Sequence, residues 1–155
     1  MRLRSQVLFL AAALALAGLA RASSETIYDE KADAPKQVAA AILAAAHSGK
    51  RVALVFGANW CPDCRVLDAQ MHKPELAPLV AQNFLVVKVD VGRMDKNLDL
   101  AKKYGVPIRR GIPALAVLDP QGQLLYAQDQ GQFADARHLS FESIQAFFVQ
   151  WKPKA

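Results

Sequence analysis

The sequence predicts an α/β domain, a central mixed β-sheet flanked by helices on both faces, and three observations lead there. Apolar runs of strand length alternate with segments of helical period. The run Val52-Ala53-Leu54-Val55-Phe56 is apolar at every position, as in a central strand covered on both sides. The last two strand-like runs, 114–118 and 124–126, are separated by a turn and pair back as a hairpin. At 155 residues the chain has room for one such domain.

At the N-terminus, Arg2 and Arg4 precede an apolar run over 7–19 that ends at Ala20-Arg21-Ala22. This is the form of a signal peptide, and the run falls short of the roughly 20 apolar residues that a spanning helix needs. The expectation is cleavage after Ala22, with an uncleaved anchor as the competing reading. The chain then divides into a signal peptide (1–22), a mature N-terminal segment (23–35) and the domain (36–155). Neither cysteine directly follows Ala22, so a lipid anchor there is not expected. Arg2, Arg4 and Arg21 account for much of the formal net charge of +5, so the mature part is only weakly basic. It has no run of Lys and Arg interleaved with aromatic residues, which argues against a nucleic-acid partner.

Residues 23–31 are polar and aperiodic, a mobile tail or an early edge. Val38, Ile42 and Ala45 share one helical face, with Asp33 as cap and Ser48-Gly49 as stop. After the strand at 52–56, Pro62 suits the first turn of a helix, where its missing N–H is no loss, and Asp63 is favourable near the positive helix end. Leu67 and Met71 continue that helix until His72-Lys73-Pro74 interrupts it, and 75–82 forms a further helical stretch. Residues 84–91 read as strand. Residues 95–104 read as a helix capped by Asp95, with Lys102-Lys103 in its last turn and Gly105 after it. A loop over 106–111 leads to the strand at 114–118, the turn Asp119-Pro120-Gln121-Gly122, the short strand 124–126 and a Gln-rich loop over 128–132. Phe141, Ile144, Phe148 and Trp151 then mark one face of a C-terminal helix.

Both cysteines lie in one tetrapeptide. As a staple the pair closes a very small loop, where the entropic gain from cross-linking is least, so a redox role explains the spacing better. The stretch Gly57-Ala58-Asn59-Trp60-Cys61-Pro62-Asp63-Cys64, entered by a strand and left by a helix, with Gly111-Ile112-Pro113 before a later strand, resembles the active site of the thioredoxin superfamily. The resemblance covers residues 36–151 and is nearest to small exported thioredoxin-like proteins. It implies a thiol-disulfide oxidoreductase that acts on protein thiols or disulfides, needs no cofactor and works as a monomer. It further implies a periplasmic location with a membrane-bound or periplasmic redox partner.

Within that frame each residue has an expected role. Unpaired N–H groups at a helix N-terminus favour a thiolate, so Cys61 is the nucleophile, and Cys64, one turn on and more buried, resolves the mixed disulfide. Trp60 either borders the site as an apolar surface for substrates or fills the core. The resemblance implies a cis bond between Ile112 and Pro113, with the Ile112 backbone pairing with an extended substrate segment. Val55 stands where thioredoxins carry a buried acid, so the Cys64 proton needs another destination; Lys88 in the next strand and Asp68, four residues beyond Cys64, are the candidates, against a solvated role for Asp68. Asp63 opposes the Cys61 thiolate by like charge, with Arg65 as a possible counterweight, which leans the pair towards a reductant or isomerase.

Two rival readings come from other classes. A zinc site would combine the cysteines with two of His47, His72 and His138, but the spacing of these histidines does not fit, and no metal is expected. A binding or assembly factor with a silent disulfide is the other. No phosphate loop, dinucleotide fingerprint or Ser-His-Asp set competes for catalysis.

Overall fold

The computed structural model describes residues 26–154. The expected signal peptide and its cleavage site lie outside that range. Among the described residues no helix is long and apolar enough to cross a membrane.

Helix α1 (Ala34–Ser48) starts where Asp33 Oδ1 accepts from the Lys36 amide at 3.1 Å. It stops at Gly49, whose φ of 70° is a conformation glycine adopts at little cost and whose N–H returns to Ala45 O. Strand β1 (Arg51–Gly57) follows and leads into helix α2 (Pro62–Met71). His72 closes α2 just before Pro74, and α3 (Ala77–Asn83) begins two residues later than the sequence indicated. Strand β2 (Phe84–Asp90) precedes α4 (Leu98–Lys103). Here the expected cap is wrong. Asp95 Oδ1 instead accepts from the Arg93 amide at 2.8 Å, closing the preceding loop, and Asn97, in the left-handed region, stands at the helix start. A 3₁₀ turn (Ile108–Arg110), the hairpin β3 (Ala114–Leu118) and β4 (Leu124–Ala127), a second 3₁₀ turn (Ala136–His138) and α5 (Phe141–Trp151) complete the chain. Asp119 Oδ1 shapes the hairpin turn by accepting from the amides of Gln121 and Gln123.

The sheet order is β2-β1-β3-β4, with β1 parallel to β2 and antiparallel to β3, and β3 antiparallel to β4. It is the mixed sheet the apolar runs predict. Alternation along β1 divides the core in two. Val52, Leu54 and Phe56 join α1 and α4 on one face, while Ala53 and Val55 join α2, α3 and α5 on the other. The second face is closed by edge-to-face contacts among Phe84, Phe148, Phe147 and Phe133. Burying each such side chain is worth about 1.5–3 kcal/mol.

Over the described residues 26–31, the N-terminal segment is neither tail nor edge. Tyr28 is only 1% exposed and belongs to the core against α1 and β1. Asn59, in the loop after β1, holds the segment as a strap: its Oδ1 accepts from the amides of Ile27 and Tyr28, and its Nδ2 donates to Tyr28 O and Glu30 Oε1, each at 2.9 Å. Leaving those strap groups unpaired should lower stability by about 1–3 kcal/mol in Asn59→Ala. The check is native-state amide exchange, which should speed up most at Ile27 and Tyr28.

Candidate active site

Strand β1 is buried along its length and delivers the chain to the start of α2, so the cysteine motif sits at the end of the best-anchored strand. Cys61 is the N-cap of α2 and Pro62 follows in the first turn. Cys61 Sγ accepts from the Cys64 amide at 3.1 Å, the contact that would hold a thiolate at this end of the helix dipole. The two cysteines are joined as a disulfide, with Cα atoms 5.3 Å apart. Their burial differs less than expected, at 3% exposure for Cys61 and 2% for Cys64. What distinguishes them is the amide on Cys61.

Across from the sulfurs, the Ile112–Pro113 peptide is cis and the Ile112 carbonyl oxygen lies 3.5 Å from Cys61 Sγ. Among the described residues nothing accepts from the Ile112 amide. Gln128, which the sequence placed in a plain loop, is 1% exposed, and its Nε2 donates to Pro113 O at 3.5 Å. Trp60 takes the bordering role of its two alternatives: it is 46% exposed, its Nε1 donates to Gly92 O at 2.7 Å, and the Arg93 guanidinium stacks 5.4 Å from its ring.

Asp63 points away from solvent. It is 7% exposed, and Oδ1 accepts from both the backbone N and the Nε of Arg137, at 3.0 and 3.1 Å. The cation that meets it is therefore Arg137, 74 residues on, while Arg65 donates to Asn59 O. Burial pushes the carboxyl up, but the hydrogen bonds from Arg137 and the charges of Arg137 and His138 outweigh it and hold Asp63 below its ordinary value. A depressed folded-state pKa gives stability that is full above the unfolded value and fades as pH falls through the folded one. The stability gap between wild type and Asp63→Asn should accordingly shrink as pH drops from about 5 towards 2. Denaturant midpoints across that range measure it.

Lys88 and Asp68, expected as separate influences, form one ion pair. Lys88 is the β2 partner of Val55, and its acid arrives from α2 instead of from β1. Burial lowers the Lys88 ammonium to about 8, while the Asp68 carboxylate in contact with it favours the charged form. Lys88 Nζ also stands 5.6 Å from the Tyr28 ring centre. His72 Nδ1 contacts Asp68 O at 2.8 Å, and His138 Nδ1 contacts Asp135 at 2.6 Å. Among the described residues no three His, Cys, Asp or Glu side chains are grouped to hold a metal ion.

Comparison with known proteins agrees with this geometry. A thioredoxin-like family matches residues 33–120. A disulphide isomerase structure from Xylella fastidiosa Temecula1 superposes with a TM-score of 0.78 and 44% identity, over 81% of this chain and 96% of that one. The oxidised C-terminal domain of DsbD from Neisseria meningitidis shares the fold, with a TM-score of 0.52 and 24% identity over 77% of this chain and 96% of that domain. Human nucleoredoxin is 30% identical over 128 residues, 68% of this chain. The probable nucleoredoxin 3 of Oryza sativa subsp. japonica is 29% identical over 96 residues, 50% of this chain. The chain spans only 27% and 20% of the lengths of these two relatives. A strand-to-helix CxxC pair, a mixed sheet covered on both faces and a family match across more than half its length place the chain in the thioredoxin-like family.

Proposed function

We propose that the protein is exported to the periplasm, where as a monomer it reduces or isomerises disulfides in protein substrates and is itself re-reduced by a membrane-bound or periplasmic thiol donor. The observation that carries this reading is Cys61 Sγ, set on the Cys64 amide at the start of α2 and 3.5 Å from the Ile112 carbonyl. A thiolate formed there is stabilised by the helix end, and the adjacent Ile112 backbone, just ahead of β3, offers polar groups with which an extended substrate segment can pair. Trp60 supplies the apolar rim for that segment, Pro62 sets the helix start, and the Lys88–Asp68 pair tunes Cys64 from beside α2. Arg2 and Arg4 ahead of the apolar run over 7–19 support export.

The lean towards reduction and isomerisation rests on Asp63, whose ionised carboxylate next to Cys61 disfavours a second negative charge, with Arg137 offsetting part of the effect. The similarity to a disulphide isomerase supports the same direction. Asp63→Asn should favour the thiolate and raise the reduction potential by roughly 30 mV, the equivalent of one pKa unit on a two-electron couple. An unchanged or lower potential would refute the electrostatic argument.

The near-complete burial of both sulfurs favours a second reading, a binding or assembly factor whose disulfide is silent. Refolding a protein with scrambled disulfides separates the two. Catalytic recovery of native substrate by wild type, absent with Cys61→Ser, supports the exchange reading. No recovery above background favours the silent one.

A further inference from the structure

We propose that Tyr28 is a positioning residue whose hydroxyl donates to the Cys64 thiolate during resolution; the catalytic part of this rests on the exchange reading above. In resolution Cys64 Sγ attacks Cys61 Sγ. The Cys61–Cys64 bond forms, the bond from Cys61 to the substrate sulfur breaks, and the electron pair leaves on that sulfur. The substrate thiolate takes up a proton from water, to which Cys64 has given its own, so the substrate disulfide is reduced as the dithiol is oxidised. Cys64, 2% exposed among apolar neighbours, is poorly placed to ionise without a donor.

Gly57 shows which group can serve. A Cβ there would collide with the Tyr28 hydroxyl and stand 2.8 Å from Cys64 Sγ, so the phenol oxygen and the sulfur crowd one bare face of Gly57. The missing side chain leaves room for the phenol to reach the sulfur, and Asn59 fixes the backbone that aims it. Burial and the nearby Asp90 both push the phenol well above its ordinary pKa, which keeps it a donor throughout the working range. Lys88 and Asp90 face this region from β2, Asp68 faces it from α2 through Lys88, and Lys96 lies 3.3 Å from Asp90. None of these changes in Tyr28→Phe, which removes one oxygen and keeps the ring.

The test has two arms. In reduced Cys61→Ser protein, Cys64 is titrated by thiolate ultraviolet absorbance, with and without Tyr28→Phe. A hydrogen bond to a charged group predicts a Cys64 pKa higher by about one unit in the double variant. In otherwise wild-type protein, Tyr28→Phe should slow resolution of the glutathione mixed disulfide roughly threefold at neutral pH, since about tenfold less thiolate is partly offset by its greater nucleophilicity. Asn59→Ala, which loosens the strap and leaves Tyr28 intact, should shift the pKa in the same direction and keeps the test open if Tyr28→Phe folds poorly. An unchanged Cys64 pKa would overturn the proposal. The titration needs no protein substrate, so it decides the role of Tyr28 independently of the scrambled-protein assay that decides the function.

Discussion

Replacing Cys61 by serine should abolish disulfide exchange, a loss of more than about a hundredfold, while leaving the fold intact. The two halves of that expectation share one cause. Cys61 Sγ caps α2 by accepting from the Cys64 amide, and a serine Oγ is a better cap acceptor than sulfur, so the helix keeps its start. What is lost is the sulfur set on the Cys64 amide, the atom that attacks the substrate disulfide. Cys64→Ser should behave differently: attack still occurs, resolution does not, and a covalent complex with substrate accumulates that reductant releases. Non-reducing gels and intact-mass spectrometry of the two variants, mixed with a disulfide-bonded protein, check both outcomes. If Cys61→Ser trapped the adduct instead, the roles of the cysteines would be reversed.

A large stability effect away from the sulfurs is expected at Gly57. Its backbone lies in ordinary strand conformation, so an alanine is not disfavoured by dihedral angles; the difficulty is space. The new Cβ would meet the Tyr28 phenol and Cys64 Sγ at once. Tyr28 is held at the backbone by Asn59 and at the ring by the core, so neither neighbour yields freely. Overpacking of this kind lowers stability by about 1–3 kcal/mol. Gly57→Ala should therefore lower the denaturant midpoint and alter the Cys64 thiolate titration together. A stability loss with unaltered titration would mean that the strap moves while the sulfur stays.

Local signals made much of this protein readable before its structure. The apolar run of β1, the Asp33 and Gly49 boundaries of α1 and the break at His72-Lys73-Pro74 each depend on residues within one turn of each other, where capping and sterics act directly. The cysteine pair was readable for the same reason, because its chemistry follows from its place at a helix start. What escaped depends on long-range meetings. Tyr28 lies in a polar stretch with no periodicity, and only the fold brings it to Cys64. Arg137 meets Asp63 from 74 residues away, and no pattern around either residue announces the other. Gln128 looks like any loop glutamine until Pro113 O is found beside it. At Asp95 two local rules competed: the residue is a good cap type, but its carboxylate closes the Gly92–Arg93 turn, and the helix starts only at Leu98, once that loop chemistry is satisfied.

The most direct test of the central claim is the reduction potential of the Cys61/Cys64 pair in protein equilibrated against glutathione. A reversible two-electron couple near the thioredoxin end of the scale, about −270 mV, is the predicted result. A potential near −120 mV would contradict the reducing direction, and a disulfide that never equilibrates with glutathione would contradict the assignment of these cysteines as a working redox pair.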